Sequence, residues 1–101
     1  MTPLPDILAG LPGETLVREG LADAQAGRAT IAAYLVGIAS PRILRYGLLP
    51  SIPPELVADA ESKLYELLRR ADGDAYSRYN SLLRELVSFE NALDHRMSRS
   101  N

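Results

Sequence analysis

Glu90 and Asp94 stand four residues apart in "FENALDHRM", close to the C-terminal end of the 101-residue chain. At that spacing two carboxylates share one face of a helix. Such a pair could ligate a metal ion, pair with arginines such as Arg42 or Arg45 or those of a partner chain, or lie in solvent. A di-metal bundle asks for a Glu-x-x-His pair from each of two helices. Position 93 is Leu93, and His95, the only histidine, projects roughly 100° or more away from either acid at helical spacing. No metal is therefore expected, and solvent exposure is the default reading of the two acids. His95 has no orienting partner or sheltered pocket beside it of the kind a general base requires. The absence of cysteine excludes thiol catalysis, disulfides and Cys-zinc sites. Neither a phosphate-binding glycine loop nor a Ser/His/Asp set with recognisable context appears. Neither an enzyme nor a cofactor is expected.

A second candidate lies in "ASPRILRYG", residues 39–47. Ser40, Arg42 and Arg45 cluster at a helix start, where free backbone N–H groups attract anions. Counted from Ala29, "ATIAAYLVGIASPRILRYGL" resembles the bacterial helix-turn-helix pattern over residues 29–48, one fifth of the chain. Ala33 takes the small position and Gly37 the turn, while Ala32, Val36, Ile38, Ile43 and Tyr46 fill the apolar positions. The resemblance implies a DNA-binding regulator in which Arg42 and Arg45 face the groove and Ser40 donates to phosphate. Three departures count against it. Tyr34 and Leu35 are large and apolar where the pattern wants water-facing residues. The second helix stops at Gly47 after about two turns. The local cations are only Arg28, Arg42 and Arg45, in a chain of net charge −2. A helical corner that only packs, its arginine stems lying over apolar surface, is the preferred reading. Anion or small-ligand sensing by the same residues is a third.

The elements that must position these residues are helical throughout. Residues 1–13, rich in proline and glycine, read as an extended lead-in whose leucines lie on the core. Glu14 to Ala26 has Val17, Leu21 and Ala24 on one face, and Gly20 there allows a close helix approach. Thr30 can cap Ile31 to Ala39, a segment apolar on all sides and therefore buried at the centre. Ser40-Pro41 restarts the chain as a short helix ending at Tyr46. Pro54 to Ala71 reads as one long helix, Ala75 to Met97 as a longer one, and residues 98–101 as a frayed tail. The fold class is all-α: a single domain, 1–101, forming a small bundle of four to five helices with a long C-terminal antiparallel helical hairpin.

The last helix carries apolar residues from Tyr76 to Met97 over an arc of roughly 160°. That is wider than one neighbour covers. Leu82, Phe89 and Leu93, on one flank of the arc, are the expected association surface. The expected function is that of a non-catalytic module acting by protein association, as a homodimer or with another helical protein. No basic run favours nucleic acid as the partner. No uncharged run reaches the ~20 residues of a membrane span. The opening residues do not read as a signal peptide, so the cytoplasm is the expected location.

Overall fold

The computed structural model describes residues 6–71 and 73–99. They form six helices and, among the described residues, no strand: α1 (Glu14–Gln25), α2 (Ile31–Ile38), α3 (Ser40–Arg45), α4 (Pro54–Val57), α5 (Ala60–Ala71) and α6 (Ala75–Arg99). No helix is long and apolar enough to cross a membrane, among the same residues.

Local chemistry sets most boundaries. Gly13, in the left-handed region at φ 73°, turns the chain into α1, and Gly27 at φ 76° follows its C-terminal end. Thr30 caps α2 as expected, its hydroxyl accepting the Ala33 N–H at 3.1 Å. Ser40 makes no such cap. It is the first residue of α3, it is buried, and Ala39 before it makes the corner with φ −86° and ψ 10°. The chain leaves α3 through Gly47 at φ 71°.

α2 is the centre. Ala32, Ala33, Leu35, Val36 and Gly37 are all buried, and α1, α4 and α5 pack around them. Two glycines make the approach close. A Cβ on Gly20 would stand 2.4 Å from the Ala32 carbonyl oxygen, and one on Gly37 would stand 1.8 Å from that of Leu56. Gly37 therefore lies inside a helix against α4. It is not the turn residue of a helix-turn-helix, because the corner falls at Ala39.

The single helix expected over 54–71 is two. Ala58 is extended and Asp59 is left-handed at φ 53°, so α4 ends after one turn and α5 starts afresh. Lys63 N–H returns to the Asp59 carbonyl at 3.0 Å, which makes Asp59 the entry to α5. The break lets Leu56 sink beneath Gly37 while Ala60, Leu64 and Leu68 face the core, and it leaves Val57 exposed. Aspartate is one of the few non-glycine residues that tolerate this conformation.

The lead-in turns rather than extends over residues 7–10, and it is tied down at several points. Leu8 and Leu11 are buried. Arg96 of α6 donates to the carbonyls of Ile7 at 2.9 Å and Ala9 at 2.7 Å. Arg18 of α1 pairs with Asp6 and, at 2.8 Å, with Glu14. At its other end the helix α6 runs through Arg99, past the Ser98 at which fraying was expected.

Candidate functional site

Arg42 and Tyr46 are one helical turn apart at α3 and its C-terminal cap, and they face Glu90 and Asp94, one turn apart on α6. Arg42 Nε donates to Asp94 Oδ2 at 2.8 Å, and Arg42 Nη1 donates to Glu90 Oε2 at 3.0 Å. The Tyr46 hydroxyl donates to Asp94 Oδ1 at 2.7 Å. Both Asp94 oxygens and one of Glu90 are thus engaged, and the Glu90 side chain is only 15% exposed. The solvent-exposed reading of the two acids is corrected: they are the α6 half of a clamp that holds α3 down.

The electrostatics follow from these contacts. The Tyr46 hydroxyl, and after it Arg42, holds the Asp94 carboxyl below the usual carboxylate range. Asp94 in turn pushes the Arg42 guanidinium and the Tyr46 phenol up. The arrangement favours a charged Asp94 and a charged Arg42, which rest as an ion pair. Arg42, with two carboxylates already on it, is not poised to meet a phosphate. Ser40 is buried, which removes it as a phosphate donor at the surface. Arg45 is exposed and lies near enough to Asp94 to lower its pKa further. The expected trio of Ser40, Arg42 and Arg45 is therefore not presented as one surface.

A second ion pair braces the loop between α1 and α2. Buried Asp23 accepts from Arg28 Nη2 at 2.8 Å and from the Thr30 hydroxyl at 2.7 Å. The Thr30 hydroxyl, then Arg28, lowers the Asp23 pKa. Asp6 and Glu14 are also lowered, each chiefly by a backbone N–H, from Leu8 and Gly10 respectively, and then by Arg18. All four carboxyls are depressed in the folded chain relative to ordinary values of 3.8 for Asp and 4.5 for Glu. Their stabilisation is fully present above those values and is lost as pH falls through the lower folded ones. The melting temperature is expected to stay flat from neutral pH down to about pH 5 and to fall below about pH 4. A melting temperature that rises on acidification contradicts the ion-pair assignment.

Two open grooves of about 700 Å³ mark the surface. One, between α2 and α5, is lined by Tyr34, Asp59, Lys63, Glu66, Leu67 and Arg70. Its charges alternate in sign, with Glu66 bound to Arg69 at 3.0 Å and Lys63 bound to the Glu55 carbonyl at 3.0 Å. The other runs between the lead-in and α6, where exposed His95 lies beside Arg96 and Asn91. Among the described residues, no group of three His, Cys, Asp or Glu side chains is placed to hold a metal ion.

The association surface needs the largest correction. Phe89 and Leu93 are both 0% exposed on the lone chain, in one core with Leu8, Leu35 and Ile43, and Leu82 is half-buried at its edge. The wide arc of α6 is covered from within. Tyr79 meets Tyr65 of α5 edge-on at 5.5 Å near its start, and α3 and the lead-in hold it toward its end. The apolar surplus lies on the opposite flank. Tyr76 is 69% exposed, Val87 is 52% exposed, and Leu83 is half-buried between them. Helical spacing puts Tyr76, Asn80, Leu83 and Val87 within about 60° of one another. The residues beside this stripe on the outward side are Ser77, Ser81, Arg84, Ser88 and Asn91, all exposed. The exposed charges of α6 between Tyr76 and Asn91 are Arg78, Arg84 and Glu85, of which Arg84 is the one next to the stripe. Comparison with protein-family models, with curated proteins and with solved structures returns no match to this chain.

Proposed function

We propose that the chain is a non-catalytic helical module that works by association, using the outward side of α6 against a second copy of itself. The reading takes α5 and α6 as an antiparallel pair that presents this side to solvent. The observation that supports it is the flank of α6 on which Tyr76 and Val87 are exposed with half-buried Leu83 between them. Interface centres are enriched in aromatic residues such as tyrosine and are more apolar than the rest of a protein surface. Serine and asparagine beside the stripe allow close approach and supply hydrogen bonds.

The size of the face sets the strength. Residues 76–91 form a strip about 24 Å long and about 10 Å wide. That is smaller than the roughly 800 Å² per partner of a standard stable interface, so the pairing is transient and concentration-dependent. Sedimentation of the full chain tests it. The average mass should climb from 11.0 kDa toward twice that value between about 10 µM and about 1 mM. Val87→Glu should stay at the monomer mass, with its melting temperature unchanged, because Val87 is exposed. A wild-type mass fixed at 11.0 kDa throughout that range overturns the proposal.

A further inference from the structure

The geometry points to residues 6–13 being a detachable strap that lies along α6, is fastened there by the Arg96 guanidinium, and lifts as a unit about Pro12–Gly13 while the helices stay folded. This holds whether or not the chain self-associates. Neighbouring side chains fix the course of the strap. At Gly13 a Cβ would stand 3.2 Å from the Glu85 side chain and 3.6 Å from the Glu85 carbonyl oxygen. Gly10, Leu11 and Pro12 face Asn91, Ala92 and His95 across the second groove. The carbonyls of Ile7 and Ala9 both accept from Arg96 Nη1, at 2.9 Å and 2.7 Å. From residue 85 to residue 96 a helix rises about 16.5 Å, so the strap spans about three turns of α6.

Three features make the segment separable. Its backbone hydrogen bonds are local: Ala9 N–H to the Asp6 carbonyl, Leu11 N–H to that of Leu8, and Glu14 N–H to that of Leu11. Lifting it therefore breaks no hydrogen bond inside a helix. Its joint suits a turn, because Pro12 brings no N–H and Gly13 holds φ 73° without a side chain to oppose rotation. Its grip on the body is small. Leu8 and Leu11 are buried, and the polar ties are the Arg96 donors, the water-exposed Arg18–Asp6 pair and the Glu14 carboxylate on the Gly10 N–H. The groove along the seam lets water reach the Arg96 contacts. A segment held by few apolar contacts and by solvent-reached hydrogen bonds opens at lower free energy than the whole fold. α2, buried among α1, α4 and α5, is the opposite case. Opening takes Leu8 and Leu11 out of the core they share with Phe89 and Leu93, and so bares apolar surface that the closed chain hides.

Because the chain lacks cysteine, an introduced thiol reports the opening directly. A thiol reagent should modify the Leu11→Cys chain at least about 100-fold faster than the Leu64→Cys chain, whose buried site in α5 is reached only by global unfolding. Urea separates the two events, since its effect scales with the surface exposed. By about 1.5 M urea the Leu64→Cys rate should climb about tenfold and the Leu11→Cys rate no more than about twofold. Arg96→Met keeps the aliphatic stem and removes the donors, and should speed the Leu11→Cys reaction about tenfold. Amide exchange of the unmodified chain reads the same opening without a substitution: Ala9 and Leu11 should exchange at least about 100-fold ahead of Val36 and Gly37 in α2. Strap amides that exchange only together with those of α2, or thiol rates that match in size and urea dependence, overturn the strap. A Leu11→Cys rate that Arg96→Met leaves unchanged overturns Arg96 as its fastening.

Discussion

Gly37→Ala should destabilise the chain by about 3 kcal/mol and lower its melting temperature by more than about 10 °C. On propensity alone the sign would be the reverse, since alanine is favoured over glycine inside a helix by about 1 kcal/mol. The close approach decides. An added Cβ would lie 1.8 Å from the Leu56 carbonyl oxygen and 2.8 Å from its carbon. Those are backbone atoms, which cannot swing aside as a side-chain end can. α2 and α4 would have to part by more than an ångström, and Leu56, buried beneath α2, would lose its seat. Gly20→Ala meets the Ala32 carbonyl oxygen at 2.4 Å and should act in the same direction. Gly73→Ala is the control, because a Cβ there meets nothing within 4 Å and its φ is not positive. Thermal melts followed by circular dichroism read all three. A Gly37→Ala chain melting within two or three degrees of wild type would show that α4 does not sit against Gly37.

That contact also marks where the sequence stops being readable. Capping and stop signals act through atoms within a turn of the residue that sends them. Thr30, Gly27 and Gly47 accordingly place the ends of α1, α2 and α3 to within a residue or so. The break between α4 and α5 has no local signal. "LVADAE" holds neither glycine nor proline, and its apolar residues keep helical period across Asp59. The cause is tertiary: Leu56 reaches its site under Gly37 only if the chain turns back through a left-handed Asp59. The α3–α6 clamp was half legible. Glu90 and Asp94 at four-residue spacing call for cations at matching spacing, and Arg42 with Tyr46 four residues on is such a row. Forty-eight residues separate Tyr46 from Asp94, and nothing in the sequence says that α3 lies across that part of α6. The arc of α6 misled for a related reason. Periodicity gives the width of an apolar face but not how many neighbours cover it. Here α3, α5 and the lead-in together leave only the Tyr76–Val87 flank open.

Phe89→Ala is the substitution that separates a core of the lone chain from a shared interface. Phe89 is 0% exposed, so truncating it removes a whole ring from a packed site and leaves a cavity beside Leu93. Phenylalanine-to-alanine changes in such sites cost about 3 to 5 kcal/mol. For a domain near 100 residues that lowers the melting temperature by at least about 12 °C. Val87→Ala, two residues earlier and on the open flank, should cost no more than about 0.5 kcal/mol. Leu93→Ala should approach the Phe89 effect, and the double variant should differ from the sum, because the two sit four apart on one buried face. A still harsher change, Phe89→Asp, sets an unpaired carboxylate in the same core and reports folding, not association. The deciding measurement is the dependence on protein concentration. A side chain buried within one chain gives the same melting-temperature loss at about 10 µM as at about 1 mM, whereas one buried by a partner gives a loss that tracks occupancy of the dimer. Phe89→Ala should behave in the first way and Val87→Glu, read through the mass, in the second. A Phe89→Ala loss that shrinks toward zero on dilution would return Phe89 to the association surface and place the core of this fold elsewhere.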